Sequence, residues 1–185
     1  MDLQPQPTNS PANSALKTGL IIGLVMLSIN FIVYFIDYSY LVAGWYGFFV
    51  LVLFFGQVIY FGKQYRKEIG GFMDFGKAFQ FSFVTLIVSG FISTLGNMLL
   101  YFVIHPGLPE LLVETQLENM VAMLDSFGAG DSLSGDQIDE MREEMASNFT
   151  PAGQFKAFGI SLIIYAILSL ILGAILKKRD KSNDY

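Results

Sequence analysis

Four long apolar stretches are the feature that most constrains the fold of this chain. They cover about residues 18–36, 41–62, 79–104 and 155–176, and none has Asp, Glu, Arg or Lys in its middle. A helix rises ~1.5 Å per residue, so about 20 apolar residues cross the hydrocarbon core of a bilayer. The sequence therefore predicts an all-α integral membrane protein, built as a bundle of four spanning helices.

The residues before the first stretch are polar and rich in Pro, Asn and Ser. Such a segment buries too little apolar surface to offset the entropy lost on ordering. We therefore expect residues 1–16 to form a disordered cytoplasmic tail and residues 17–185 to form a single membrane domain. The first stretch is longer than the apolar region of a signal peptide and ends without a small-residue cleavage site. We expect it to be retained as the first helix.

Basic residues are sorted onto one side of the four stretches. Nine of the eleven Lys and Arg residues lie at position 17, in the connection 63–78 or in the tail after residue 176. The segment 105–154 instead has ten acidic residues and the single base Arg142. Basic residues beside membrane spans are retained in the cytoplasm. The sequence thus predicts a multi-pass protein of the cell inner membrane, with both termini cytoplasmic and residues 105–154 periplasmic.

The segment 105–154 has the pattern of a helical hairpin outside the membrane. Pro109 suits a first helical position, and apolar residues then recur at helical spacing up to a glycine-containing break. A capping-box sequence at Ser134 predicts the start of a second helix, and Thr150-Pro151 is expected to end it. The acidic residues do not follow the spacing of an EF-hand, which favours a solvated acidic surface.

The connection between the second and third spans combines bases with aromatic residues. Gly70-Gly71 would let the chain turn sharply there. Bases beside aromatic rings at a membrane surface attract anionic lipid headgroups or a cytoplasmic partner, although they also serve simply to set topology and depth. The candidate contact residues are Lys63, Arg66, Lys67, Phe75, Lys77 and Phe79.

The run KQYRKEIGGFMDFGKAF over residues 63–79 also carries a family resemblance. It resembles the signature of small four-span inner-membrane proteins of the Bacteroidetes, a domain family of unknown function. The resemblance extends along nearly the whole chain, from two spans through this connection to a third span, an outer helical segment, a last span and a basic tail. It implies the same topology and brings no catalytic residue, cofactor or substrate.

Polar residues inside the spans leave two alternatives open. Asn30, Gln57 and Asn97 could line a path through a transporter or channel subunit, but the spans offer no ionisable side chain for conduction. Asn and Gln more often form hydrogen bonds between helices. The GLIIG sequence from Gly19 to Gly23 favours close helix packing, either within the bundle or between protomers.

The sequence gives little support for catalysis, metal binding or nucleic-acid binding. The chain has no Cys, and its one histidine, His105, makes a weak zinc signature with Glu110 and Glu114. Nucleophile-elbow and phosphate-loop motifs are missing, and the net charge of −5 does not suit nucleic-acid binding. We expect no enzyme, cofactor or metal site. The expected protein is non-enzymatic and acts by association with the lipid bilayer, a membrane-protein partner or its own copies, with a small transporter or channel subunit as the alternative.

Overall fold

The structure is a computed structural model that describes residues 10–128 and 134–179. Within those residues the chain is all-α, with no strand beyond one isolated β-bridge between Met73 and Lys178. The helices are α1 Pro11–Ile36, α2 Gly44–Glu68, α3 Phe75–Leu99, α4 Leu108–Ser126, α5 Gly135–Asn148 and α6 Pro151–Leu176. The predicted fold class is confirmed.

Four helices of the described chain are long and apolar enough to cross a membrane: α1, α2, α6 and the span Phe75–Ile104. That span consists of α3 and a π-helical turn, Leu100–Ile104. Large apolar side chains are exposed along these helices, among them Phe48 at 71% and Ile163 at 67%. Such surfaces are favourable in lipid and not in water. The chain is therefore a multi-pass membrane protein.

Helix α1 begins earlier than its apolar stretch. Ser10 caps it, because its hydroxyl accepts the Asn13 N–H at 3.3 Å and Pro11 occupies the first helical position. Ala15 is fully buried, so the added turns pack against the protein. Residues 11–16 therefore belong to α1 and not to the disordered tail expected over residues 1–16. Residues 1–9 lie outside the described part.

Helix α6 begins at Pro151, four residues before the predicted span. The Thr150 hydroxyl accepts the Gly153 N–H at 3.0 Å and thereby caps the helix. The expectation that Thr150-Pro151 only ends the preceding helix was therefore incomplete. The same pair starts α6, since a capping hydroxyl followed by Pro is a helix N-terminus signal. Similarly, α3 starts at Phe75 rather than near residue 79, after Asp74 accepts the Lys77 N–H at 3.4 Å.

The predicted helices of the segment 105–154 are present and contact each other as α4 and α5. The Ser134 capping box that opens α5 is confirmed in both directions, through Gln137. Arg142 on α5 pairs with Glu114 on α4 at 2.8 Å. Residues 129–133, which contain part of the predicted glycine-containing break, lie outside the described part.

The described residues group into two compact units, and each spanning helix contributes to both. One unit combines Val52–Ser93 with the chain up to Met26 and the chain from Ile160 onward. The other combines Leu27–Leu51 with Thr94–Gly159. The core of the first unit contains Ala15, Tyr65, Met73, Ala78, Phe81 and Leu176, and that of the second contains Leu100, Tyr101, Leu108 and Leu112.

In the first unit, the GLIIG motif packs α1 against α3. An ideal Cβ on Gly19 would lie 2.7 Å from Val88 Cβ, and one on Gly23 would lie 2.8 Å from Ile92 Cδ1. Both distances are below van der Waals contact, so only glycine permits this approach. The motif was compatible with packing within the bundle or between protomers. These contacts are packing within the chain.

Candidate functional site

The three bases near the end of α2 differ in burial and in bonding. Arg66 is half-buried, and its Nη1 donates to the carbonyl of Leu176, the last residue of α6, at 2.9 Å. A cationic donor at that position satisfies one of the carbonyls that a helix C-terminus leaves unpaired. Lys63 and Lys67 are exposed instead. Of the predicted contact residues on α2, Arg66 is therefore a structural cap, while the two lysines remain available.

The chain turns sharply after α2, as predicted, and the turn leads into a pairing that the sequence did not indicate. Gly70 and Gly71 have φ angles of +98° and +86°, which favour glycine. Met73 then pairs with Lys178: Lys178 N–H donates to the Met73 carbonyl at 2.7 Å, and Met73 N–H donates to the Lys178 carbonyl at 3.0 Å. The Met73 side chain is only 2% exposed in the core of the first unit. The basic tail after α6 is thus fixed beside the basic connection.

The aromatic residues at the start of α3 have mixed roles. Phe75 and Phe79 stack at a centroid distance of 6.4 Å. An ideal Cβ on Gly173 of α6 would lie 3.1 Å from Phe75 Cε2 and 3.3 Å from Phe79 N, so both pack on α6. Phe75 nevertheless keeps 41% of its surface exposed, whereas Phe79 is half-buried. Phe75 can therefore contact lipid, and Phe79 mainly supports the fold.

Two lysines are held close to the Met73–Lys178 bridge by different groups. The Lys178 ammonium lies over the Phe72 ring, 5.4 Å from its centroid. Lys77 Nζ lies 3.9 Å from a carboxylate oxygen of Asp74, and both side chains of this pair are more than half exposed. Lys178 thus lies beside Phe72 and Lys77 beside Asp74, the two residues that flank Met73 in the sequence.

We define the basic–aromatic surface as the exposed bases and rings that this pairing brings together. Its acidic neighbours in the described chain are Glu68 and Asp74, so basic residues outnumber them. Such a surface attracts anions and holds aromatic rings at membrane-interface depth. Phe72 and the tail bases were not among the candidate contact residues predicted from the sequence. Only the backbone bridge shows that the tail lies beside the connection 63–78. The members are Lys63, Lys67, Phe72, Phe75, Lys77, Lys177, Lys178 and Arg179.

The polar side chains proposed for a transport path form hydrogen bonds within each unit. In the second unit, Asn30 Nδ2 donates to Asn97 Oδ1 at 3.1 Å, and the Tyr46 hydroxyl donates to Asn30 Oδ1 at 3.3 Å. In the first unit, Gln57 donates to the sulfur of Met26 at 3.3 Å. Within the described residues, no buried side-chain N or O atom lacks a partner. This is the pattern of hydrogen bonding between helices.

Two of the three residues considered for metal binding, His105 and Glu114, have other partners. His105 is half-buried, and its Nδ1 lies 3.2 Å from the Tyr34 hydroxyl. Glu114 pairs with Arg142, whose pKa is raised by that hydrogen bond and charge and, to a smaller extent, by Asp139 at 2.6 Å. Within residues 10–128 and 134–179, no group of three or more His, Cys, Asp or Glu side chains could hold a metal ion.

The chain matches a known protein family over most of its length. Residues 17–178 match the family described as "Protein of unknown function (DUF4199)". No curated protein and no solved structure matches the chain.

Proposed function

The chain belongs to this family of proteins of unknown function, and we propose that it is a non-enzymatic inner-membrane protein that acts by association, with anionic lipid headgroups as its partner. The observation that carries the proposal is the backbone pairing of Met73 with Lys178. It combines two basic segments, about a hundred residues apart in sequence, into one exposed surface with Phe72 and Phe75. Association with a protein partner or with further copies of the chain would use the same surface.

The proposed orientation follows from the distribution of bases. Most of them flank the ends of the spans that carry the basic–aromatic surface, and such residues are retained in the cytoplasm. Both termini would then be cytoplasmic, residues 105–154 periplasmic, and the surface level with the headgroups of the inner leaflet. Anionic lipids make that leaflet surface negative.

Orientation can be tested in the natural background, because the chain contains no Cys. Gln64→Cys and Glu140→Cys place single thiols at exposed positions in α2 and α5. In spheroplasts, a membrane-impermeant maleimide should label the Glu140→Cys protein, and it should label Gln64→Cys only after the membrane is opened. Labelling of Gln64→Cys in intact spheroplasts would reverse the proposed topology.

The lipid association can be tested on the purified full chain. The protein is stripped of lipid in an uncharged detergent, and its melting temperature is followed during titration with phosphatidylglycerol or phosphatidylcholine. Stabilisation by phosphatidylglycerol alone is expected, and it should weaken with salt.

A triple variant with Lys63, Lys67 and Lys177 changed to Gln should lose affinity for phosphatidylglycerol by on the order of 100-fold at low salt, because each interfacial lysine contributes about 1 kcal/mol. The matched control is Lys156→Gln, which removes one exposed lysine from the other end of α6. Equal responses to the two lipids, or an equal loss in the control, would contradict the proposal.

A further inference from the structure

The basic–aromatic surface presents its charges from two chain segments that the fold holds at a set spacing. Resting on the lipid association proposed above, we infer that this surface prefers a headgroup that carries two phosphodiester groups over headgroups that carry one. Lys77 at the start of α3 would contact one phosphate, and Lys178 of the tail would contact the other.

The spacing between the two segments is set by backbone atoms. Met73 and Lys178 exchange both N–H···O=C bonds, at 3.0 and 2.7 Å, and residues paired in this way have Cα atoms roughly 5.5 Å apart. Arg66 strengthens the junction through its bond to the Leu176 carbonyl. Because these bonds do not involve the lysine side chains, the segments stay together while the ammonium groups are free to bind.

Both ammonium groups are held near the bridge by weak partners. Lys77 and Asp74 form an exposed ion pair with a distance of 3.9 Å, and pairs of this kind contribute little to stability. Lys178 lies 5.4 Å from the centroid of Phe72, a ring that is itself 41% exposed. A phosphate could therefore bind either lysine at low cost. The two ammonium groups are held at separate residues, Phe72 and Asp74, and two separate charges favour two linked phosphates over one.

The surroundings suit a lipid rather than a soluble diphosphate. Phe72 lies under the Lys178 ammonium, Phe75 is two residues before Lys77 in the chain, and each ring is 41% exposed. Aromatic rings favour the boundary between headgroups and acyl chains. Basic pockets between the cytoplasmic ends of spanning helices bind lipid headgroups of this class. Here the ends of α2 and α6 meet the start of α3, through the contacts of Arg66 and Gly173.

The experiment compares lipids at equal phosphate content. The full chain, delipidated in an uncharged detergent, is titrated with cardiolipin or with twice that molar concentration of phosphatidylglycerol, and bound lipid is measured by native mass spectrometry. The variants are Lys77→Gln, Lys178→Gln and their combination, with Lys156→Gln as the control. Inorganic pyrophosphate tests a soluble diphosphate as the ligand.

The wild type and Lys156→Gln should reach half-saturation with cardiolipin at about a tenth of the phosphate concentration needed with phosphatidylglycerol. Each single variant should reduce that preference about fivefold, and the combined variant should abolish it. Unchanged melting temperatures without lipid would show that the variants fold.

Equal binding per phosphate would overturn this inference and leave the lipid association standing. Binding to neither anionic lipid would overturn both. A preference retained in the combined variant, or tighter binding of pyrophosphate than of cardiolipin, would also overturn the inference.

Discussion

The close approach of α1 and α3 in the first unit can be tested by adding one methyl group. In a Gly19→Ala variant the new Cβ would lie 2.7 Å from Val88 Cβ and 3.0 Å from the Thr85 carbonyl oxygen. Carbon atoms in good contact lie about 3.5–4.0 Å apart. Both neighbouring atoms belong to the backbone or are bonded directly to it, so rotation of a side chain cannot relieve the overlap. The two helices must therefore move apart by several tenths of an ångström or more.

The expected cost is the difference between two effects. Overpacking of this kind costs about 1–3 kcal/mol, whereas replacing Gly by Ala inside a helix gains about 0.5–1 kcal/mol. We expect Gly19→Ala to lower the free energy of unfolding by about 1–2 kcal/mol. For a chain of this size that corresponds to a melting temperature lower by about 2–8 °C, measured in one detergent for all variants.

Gly56→Ala is the matched control, because it adds the same methyl group in helix α2 where nothing lies within 4 Å of the new Cβ. It should be neutral or stabilising by up to about 1 kcal/mol. A Gly19→Ala protein that melts at or above Gly56→Ala would refute the packing argument. If Gly56→Ala were destabilised and Gly19→Ala unchanged, the close helix contact would lie at Gly56, between protomers, instead of at Gly19 within the chain.

Further predictions concern single contacts. Asn97→Leu removes the partner of Asn30 and should lower the free energy of unfolding by about 0.6 kcal/mol, at most about 1.7, with a double-mutant cycle on the pair isolating the bond. Arg66→Gln removes the charged donor to the Leu176 carbonyl and should cost about 1 kcal/mol in thermal unfolding, while phosphatidylglycerol still stabilises the protein. Hydrogen bonds from the Ser39 hydroxyl and the Ser39 N–H lower the pKa of Asp37. The ionised carboxylate therefore stabilises the folded protein above the unfolded pKa of 3.8, and this stabilisation is lost as the pH falls through the lower folded pKa. The difference in melting temperature between wild type and Asp37→Asn should therefore be constant well above pH 3.8 and shrink steadily as the pH falls below it, and a difference that stays constant there would contradict this account.

Much of the fold could be predicted because membrane insertion is governed by local composition. Length and apolarity alone identify the four spans, and the capping box at Ser134 identifies the start of α5. The errors lie at the helix N-termini. Ser10 and Thr150 precede prolines that could either stop one segment or start the next. At Ser10 the packing of the added turns, seen at the buried Ala15, decides between these alternatives. At Thr150 the bond that its hydroxyl accepts from the Gly153 N–H decides.

The candidate site was predicted less completely than the spans. Lys63, Lys67, Phe75 and Lys77 are exposed at the predicted connection, whereas the Arg66 guanidinium is engaged by α6. A charge count cannot separate these roles, because an arginine that caps a helix and one that meets a headgroup have the same charge.

The sequence by itself determined that the chain enters a membrane with four helices, since apolar length and charge placement act through neighbouring residues. The tertiary structure alone decided that Met73 pairs with Lys178, so that the tail bases join the connection in one basic–aromatic surface. That pairing uses backbone groups, which every residue has and no side-chain pattern marks. It also requires the ends of α2 and α6 to meet, which depends on packing between residues far apart in sequence, such as Gly62 against Leu176.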